Sequence, residues 1–520
     1  MSRQIAKVAR QFGIVVLGLS ALQLIHAQTA AEVRDKVRAY RAANESKIVR
    51  EFADLLAIPN LASDNASIRK NADFIASALQ KRGVQSKLLD SAGGPPIVYG
   101  ELPSPGAKHT LIFYAHYDGQ PVDKTQWAND PWEPTLRDKK LEDGGKPVSL
   151  ASLPSAVPAE WRIYARSASD DKTPIQALLT SLDALQAAHL SPGVNLKFFF
   201  EGEEEAGSEH LPAAIAKYAD LIGADAWILC DGPVHQTRRM QIFFGARGEV
   251  GVELTIYGPT RPLHSGHYGN WAPNPAILMA ELLASMRDHD AHIRVAHFYD
   301  DVRPVSESER RAIDAMPAVD TQLRNELGLA WTEGEPEAVA LRIMLPALNV
   351  RGIESGHVGA KAQNAIPTEA RASIDFRLVP DQKPERVESL IETHIRAQGY
   401  YIVHKDPTAE ERLAHPRIIR LDWSSGNPPA RTSMDVPAAR AVAETIQDVV
   451  GPTLVKAPTL GGTVPMYLFL DVLKTPVIGV PIANHDNNQH GFNENLRLQN
   501  LWDGIEVFAG LMVNVDQHWQ

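Results

Sequence analysis

At 520 residues the chain is too long for one ordinary hydrophobic core, so a two-domain protein of enzyme size is expected. Its formal charge of −11 supplies no basic stripe for phosphates, which argues against a nucleic-acid partner. Cys230 is the single cysteine, so no intrachain disulfide can form and stability must come from the core.

The first segment reads as a secretory signal. Arg3, Lys7 and Arg10 precede an apolar run over 12–25, and the segment ends in Ile-His-Ala before Gln28. The run is shorter than the roughly 20 residues of a membrane span. Cleavage near Ala27 is expected, with an uncleaved anchor as the alternative. The mature chain then has no stable membrane span and loses three basic and no acidic side chains, becoming still more acidic. Export with so few cysteines points to the bacterial periplasm or secretion.

Residues 30–58 carry a helical pattern. Apolar runs at 110–114, 194–200, 226–230 and 477–481 read as strands, with helical patterns at 175–188 and 212–218 between them. This alternation predicts an α/β fold: a mainly parallel sheet covered on both faces, with chemistry at the strand ends. From 245 the character changes, with alternating strands at 249–257 and 370–378 and helices at 275–286 and 384–397. A polar, Pro-rich stretch at 424–431 then leads to a helix near Val436 and back into the first domain. The expected division is 1–27 signal, 28–244 first part of the catalytic domain, 245–427 inserted α+β domain, and 428–520 second part. Two irregular stretches, 141–158 and 299–337, read as surface insertions.

Five segments carry acids and histidines. His116 and Asp118 stand two apart, so in extended chain they share a face, and Asp118 can hold the second ring nitrogen of a metal-binding histidine. Asp118-Gly119 is equally a common turn. Asp170 and Asp171 precede a helix, where capping alone explains them; the metal reading has Asp170 bridging two cations while Asp171 serves the cap or backbone. Glu201, Glu203, Glu204 and Glu205 crowd the end of an apolar run, where like charges repel unless cations offset them. One of the adjacent glutamates can ligate metal while its neighbour stays free as a base. Asp231 ends a strand ahead of Gly232, as a turn aspartate or a ligand, and His485 and His490 lie in a polar loop that says little alone. Joined, His116, Asp170, Glu205, Asp231 and His490 offer mixed nitrogen and oxygen donors suited to Zn2+ or another borderline divalent ion. Three carboxylates and a hydroxide balance two divalent cations, which supports a two-metal centre.

In their order, Ala-His-Tyr-Asp-Gly (115–119), Ala-Ser-Asp-Asp-Lys (168–172), Glu-Gly-Glu-Glu-Glu-Ala-Gly-Ser (201–208), Leu-His-Ser-Gly (263–266), Phe-Arg-Leu-Val-Pro (376–380), Gly-Gly-Thr-Val-Pro (461–465) and His-Gly-Phe-Asn-Glu (490–494) resemble a known family. It is the dizinc metallopeptidase family of carnosinases, aminoacylases, acetylornithine deacetylase and glutamate carboxypeptidases. The resemblance implies His116 and Asp231 on one metal, Glu205 and His490 on the other, and Asp170 bridging. It implies Zn2+, with Co2+ or Mn2+ as alternatives, Glu204 as general base, Asp118 orienting His116, and a cis peptide between Asp170 and Asp171. The inserted domain would be a lid and dimerisation domain, and its His264 would reach the partner subunit's site in a homodimer to steady the oxyanion. Arg377 would take a substrate carboxylate, with Asn274, Gly461, Gly462 and Thr463 completing the pocket. The chain departs from relatives where Thr-Pro follows Lys172 and where Gly491-Phe492 replaces Ser-Pro. The expected activity is hydrolysis of an amide beside a free carboxylate, in dipeptides or at the C-terminus of short peptides. The alternatives are deacylation of N-acyl amino acids and, from another class, a non-catalytic metal-containing periplasmic binding protein.

Overall fold

The computed structural model describes residues 28–520, so the expected signal segment lies outside the described residues. Helix Ala30–Leu56 opens with a capping box in which Thr29 and Glu32 satisfy each other's backbone N–H groups. The main sheet has eight strands in the spatial order Gln85–Leu89, Ile97–Leu102, Asn195–Glu201, Thr110–His116, Ala226–Leu229, Val477–Gly479, Gln241–Phe243 and Val455–Ala457. Its centre, the four strands from Asn195–Glu201 to Val477–Gly479, is wholly parallel, while antiparallel pairs join this block to the strands on either side.

Alternation along these strands sends side chains to two apolar layers. Phe113, Phe198, Phe200, Ile228 and Ile478 join one core with helices Ala30–Leu56, Lys172–Ala187, Pro437–Val450 and Leu498–His518. Tyr114, Phe199 and Trp227 join another with helix Leu211–Ile222 and Phe469, which stacks on Trp227 at 4.2 Å between ring centroids. Two covered faces explain why the central strands read as unbroken apolar runs.

A second, five-stranded sheet has its own core. Along strands Gly248–Tyr257 and Glu369–Leu378, the facing pairs Val250 with Phe376, Val252 with Ile374, Leu254 with Ala372 and Ile256 with Ala370 are all buried. Helices Pro275–Met286 and Pro384–Ala397 pack Met279, Leu282, Met286, Val387, Ile391 and Ile395 against that face. These are the elements expected from periodicity.

The strand leading to Asp170, Arg162–Tyr164, lies outside the main sheet, in a separate antiparallel sheet ordered Asn495–Arg497, Arg162–Tyr164, Thr135–Arg137 and Pro147–Val148. Two expectations are corrected. The stretch 141–158 is therefore no mere surface insertion, since Pro147–Val148 forms the edge of that sheet. The stretch 299–337 is not irregular either. It holds helices Glu307–Asp314 and Asp320–Glu326, and Glu309 makes a buried 2.9 Å ion pair with Arg431.

Candidate metal centre

The C-terminal ends of the central parallel strands converge on one point. His116 ends its strand in register with Glu201, and Asp231 follows Ala226–Leu229 by two residues. The Asp170 and His490 loops arrive instead from the small antiparallel sheet, beside neighbouring strands Arg162–Tyr164 and Asn495–Arg497. The site therefore lies where two sheets meet. His116, Asp170 and Asp231 form one group whose ligand atoms all lie within 4.8 Å of one another, and Asp170, Glu205 and His490 form a second. Asp170 belongs to both. Its Oδ1 is 3.0 Å from His116 Nε2, and its Oδ2 is 3.1 Å from His490 Nε2, which in turn is 3.3 Å from Glu205 Oε2.

Asp118 sits beneath this cluster, fully buried, with Oδ1 at 3.3 Å from His116 Nδ1. The same carboxylate accepts the backbone N–H groups of Glu204 at 3.1 Å and Glu205 at 3.0 Å, so it ties the histidine segment to the glutamate pair. Glu204 lies in neither group; its Oε2 is 4.0 Å from His116 Nε2. The Asp170–Asp171 peptide is cis. Of the two expected roles for Asp171, cap or backbone, the structure has the second: its side chain makes no cap hydrogen bond to the helix Lys172–Ala187 but accepts the backbone N–H of His116 at 3.4 Å.

Burial works against the charge on these acids. It pushes Asp231 up to about 6 and Glu205 up to about 7, with the neighbouring Asp170 charge adding to both. Glu204 is also raised well above the usual carboxylate range, first by burial. At Asp170 hydrogen bonds from His116 and His490 outweigh burial and hold the carboxyl below its ordinary value. Asp231 Oδ1 is buried without a hydrogen-bond partner. A buried polar atom with no partner, amid carboxylates that resist sharing one space, fits a site made for divalent cations.

The other expected residues are arranged differently. Arg377 donates to Thr463 Oγ1 at 3.2 Å and pairs with Glu249 at 3.1 Å and Asp375 at 3.3 Å. Glu249, Thr463 and Glu204 line one cleft of about 180 Å³, so two partners of Arg377 and the metal-side glutamate border the same space. Arg247 donates its backbone N–H to Gly462 O at 3.1 Å, and Ile343 stands 3.8 Å from where a side chain on Gly461 would begin. Asn274 caps helix Pro275–Met286 and lines a larger cleft of about 460 Å³ with His357, Glu369 and Arg371, away from the donor groups. His264 is exposed and joins neither donor group; its Nδ1 accepts from Gly266 N and its ring lies 4.7 Å from His267. Two site residues escaped the sequence reading. Gln120 donates to Glu205 Oε2 at 2.8 Å, and Glu494 holds the backbone of the Asp170 loop. Their positions beside His116-Asp118 and His490 were the available signal.

Such a fold, with acid and histidine donors gathered where two sheets meet, is that of a metallopeptidase. The chain belongs to the peptidase family M20/M25/M40, whose family model matches residues 112–514. It is 25% identical to the Cys-Gly metallodipeptidase dug1 of Schizosaccharomyces pombe over 483 residues, covering 89% of this chain and 94% of the relative. It is 26% identical to the human Beta-Ala-His dipeptidase, covering 81% and 78%. Among solved structures, an M20 family metallo-carboxypeptidase from Sulfolobus solfataricus superposes with a TM-score of 0.71 at 29% identity, covering 90% of this chain and 99% of that one.

Proposed function

We propose that this enzyme hydrolyses dipeptides, cutting an amide bond next to a free carboxylate with two bound divalent metal ions and Glu204 as general base. One observation carries the reading: two three-donor groups share Asp170, and the partly buried Glu204, which belongs to neither, stands beside them. His116 and Asp231 would hold one ion, Glu205 and His490 the other, and Asp170 both. Zn2+ suits this donor set, with Co2+ or Mn2+ as alternatives. Bound there, the ions would supply Lewis acidity to the scissile carbonyl and acidity to the attacking water.

The rest falls to the chain's own residues. Glu204, its carboxyl already raised by burial, takes a proton from the water and hands it to the leaving amine. Asp118 keeps the Glu204-Glu205 backbone and the His116 ring in fixed relation. Arg377 presents a planar fork to the substrate carboxylate, which must displace Glu249 from it. His264 is too exposed to work within its own subunit's cluster, which supports a homodimer in which it steadies the oxyanion at the partner's site. The signal pattern in residues 1–27 supports export to the periplasm or medium.

The dipeptidase names of the relatives favour dipeptides over N-acyl amino acids. Zinc-loaded enzyme incubated with panels of both, with and without chelator, tests this. Chelator-sensitive release of amino acids from dipeptides is expected. Cleavage of N-acyl compounds alone would make it a deacylase, and ligand binding without any cleavage would favour a binding protein.

A further inference from the structure

We infer that Glu494 and Arg166 form a positioning pair that sets Asp170 and His490 relative to each other, and so tunes the metal position these residues share with Glu205. The inference rests on the metal-centre reading above. Glu494 stands four residues after His490 and is wholly buried. Its Oε1 accepts from Ser169 N and Ser169 Oγ, both at 2.9 Å, and from Asp170 N at 3.0 Å. Its Oε2 accepts from Ser167 N and from Arg166 Nη1, both at 2.9 Å. Arg166 then donates Nη2 to Gly491 O at 3.1 Å, beside His490, and its guanidinium lies over the Trp127 ring at 5.2 Å. One carboxylate thus grips the Asp170 loop while its counter-ion grips the His490 loop, although Asp170 and Glu494 are 324 positions apart.

Both loops need holding. Ser167 at φ 61°, His490 at φ 60° and Asn493 at φ 58° occupy the left-handed region, which non-glycine residues leave readily once released. The arrangement also requires a carboxylate. A carboxamide at 494 would turn an NH2 toward either the Ser167 N–H and Arg166 or the Ser169 and Asp170 donors, breaking at least two of the five contacts. Among the two donor groups, only the one made by Asp170, Glu205 and His490 takes ligands from both clamped loops. Its affinity should therefore depend most on the pair.

The test is a zinc titration of chelator-stripped full-length protein against a competing chromophoric chelator, with thermal unfolding of each metal-free variant alongside. In Glu494→Gln and in Arg166→Lys, one zinc equivalent should weaken by about 10- to 100-fold, and the other, which shares only Asp170 with the clamped loops, by clearly less. Arg431→Met breaks a different buried ion pair, that with Glu309, and serves as the control. It should lower the unfolding temperature yet leave both zinc equivalents unchanged. Should Glu494→Gln fail to fold, Ser169→Ala removes a single donor to the same carboxylate and should weaken the same equivalent to a smaller degree. Wild-type affinity at both positions in the Arg166 and Ser169 variants, or equal zinc loss in Arg431→Met, would overturn the inference while leaving the metal centre intact. Wild-type protein that bound no zinc would instead remove the reading beneath it.

Discussion

The two regions that carry the expected chemistry differ in how complete they are. At the main-sheet edge, His116 and Asp118 are wholly buried and Asp170 is 4% exposed, each held by neighbours from other parts of the chain. In the smaller sheet's region, His264 is exposed, Asn274 serves a helix cap, and Arg377 is a third exposed and bound to Glu249 and Asp375. The first region is assembled by one chain. The second presents His264 to solvent and holds Arg377 in ion pairs with its own neighbours. The candidate metal donors are thus held together without the groups proposed to bind substrate.

The sharpest way to break that comparison is Glu204→Gln. It should lower kcat by about 10²- to 10⁴-fold, as loss of a general base does. Metal content measured by mass spectrometry should remain at two ions, because Glu204 belongs to neither donor group. Full activity would dismiss Glu204 as base, and loss of metal would place it among the ligands.

His264→Ala should lower kcat by about 10²- to 10³-fold with metal content unchanged. Mixing subunits sharpens the point. If His264 acts across a dimer, Glu204→Gln and His264→Ala subunits exchanged together should regain activity that neither shows alone. No recovery after verified exchange would put His264 to work in its own subunit or nowhere.

Arg377→Lys keeps the charge but loses the planar fork, and should raise KM about tenfold for substrates with a free C-terminal carboxylate. Amidated analogues should respond equally poorly to both enzymes. An unchanged KM would move carboxylate recognition elsewhere.

The smallest effect concerns pH and stability. Burial raises Asp231 from 3.8 to about 6 and Glu205 from 4.5 to about 7 in the metal-free protein. Between those values the folded state holds more protons than the unfolded one, so stability present at low pH is lost as pH rises through 6 and 7. Zinc should reverse the trend, since it binds the charged carboxylates. Unfolding temperatures from pH 5 to 8, with and without chelator, check both signs; parallel curves would show that the cluster does not couple to metal.

Much of this was legible in the sequence because it is local. Period-two burial across 370–378 follows from strand geometry, and unbroken apolar runs such as 110–114 follow from a sheet covered on both faces. The acids crowded at 201–205 announced a cation site through their own repulsion. Other features depend on contacts that no local pattern encodes. The helices within 299–337 are short and mostly exposed, so they carry little apolar periodicity to read. Only the tertiary structure decided that Asp170 and His490 come from a second sheet, that Asp118 ties His116 to Glu204 and Glu205, and that Glu494 reaches back to the Asp170 loop. The physical reason is the same in each case. Residue type and spacing determine which side chains can ligate and which segments can be strands, whereas the relative placement of distant loops is set by buried hydrogen bonds whose partners become neighbours only after the chain has packed.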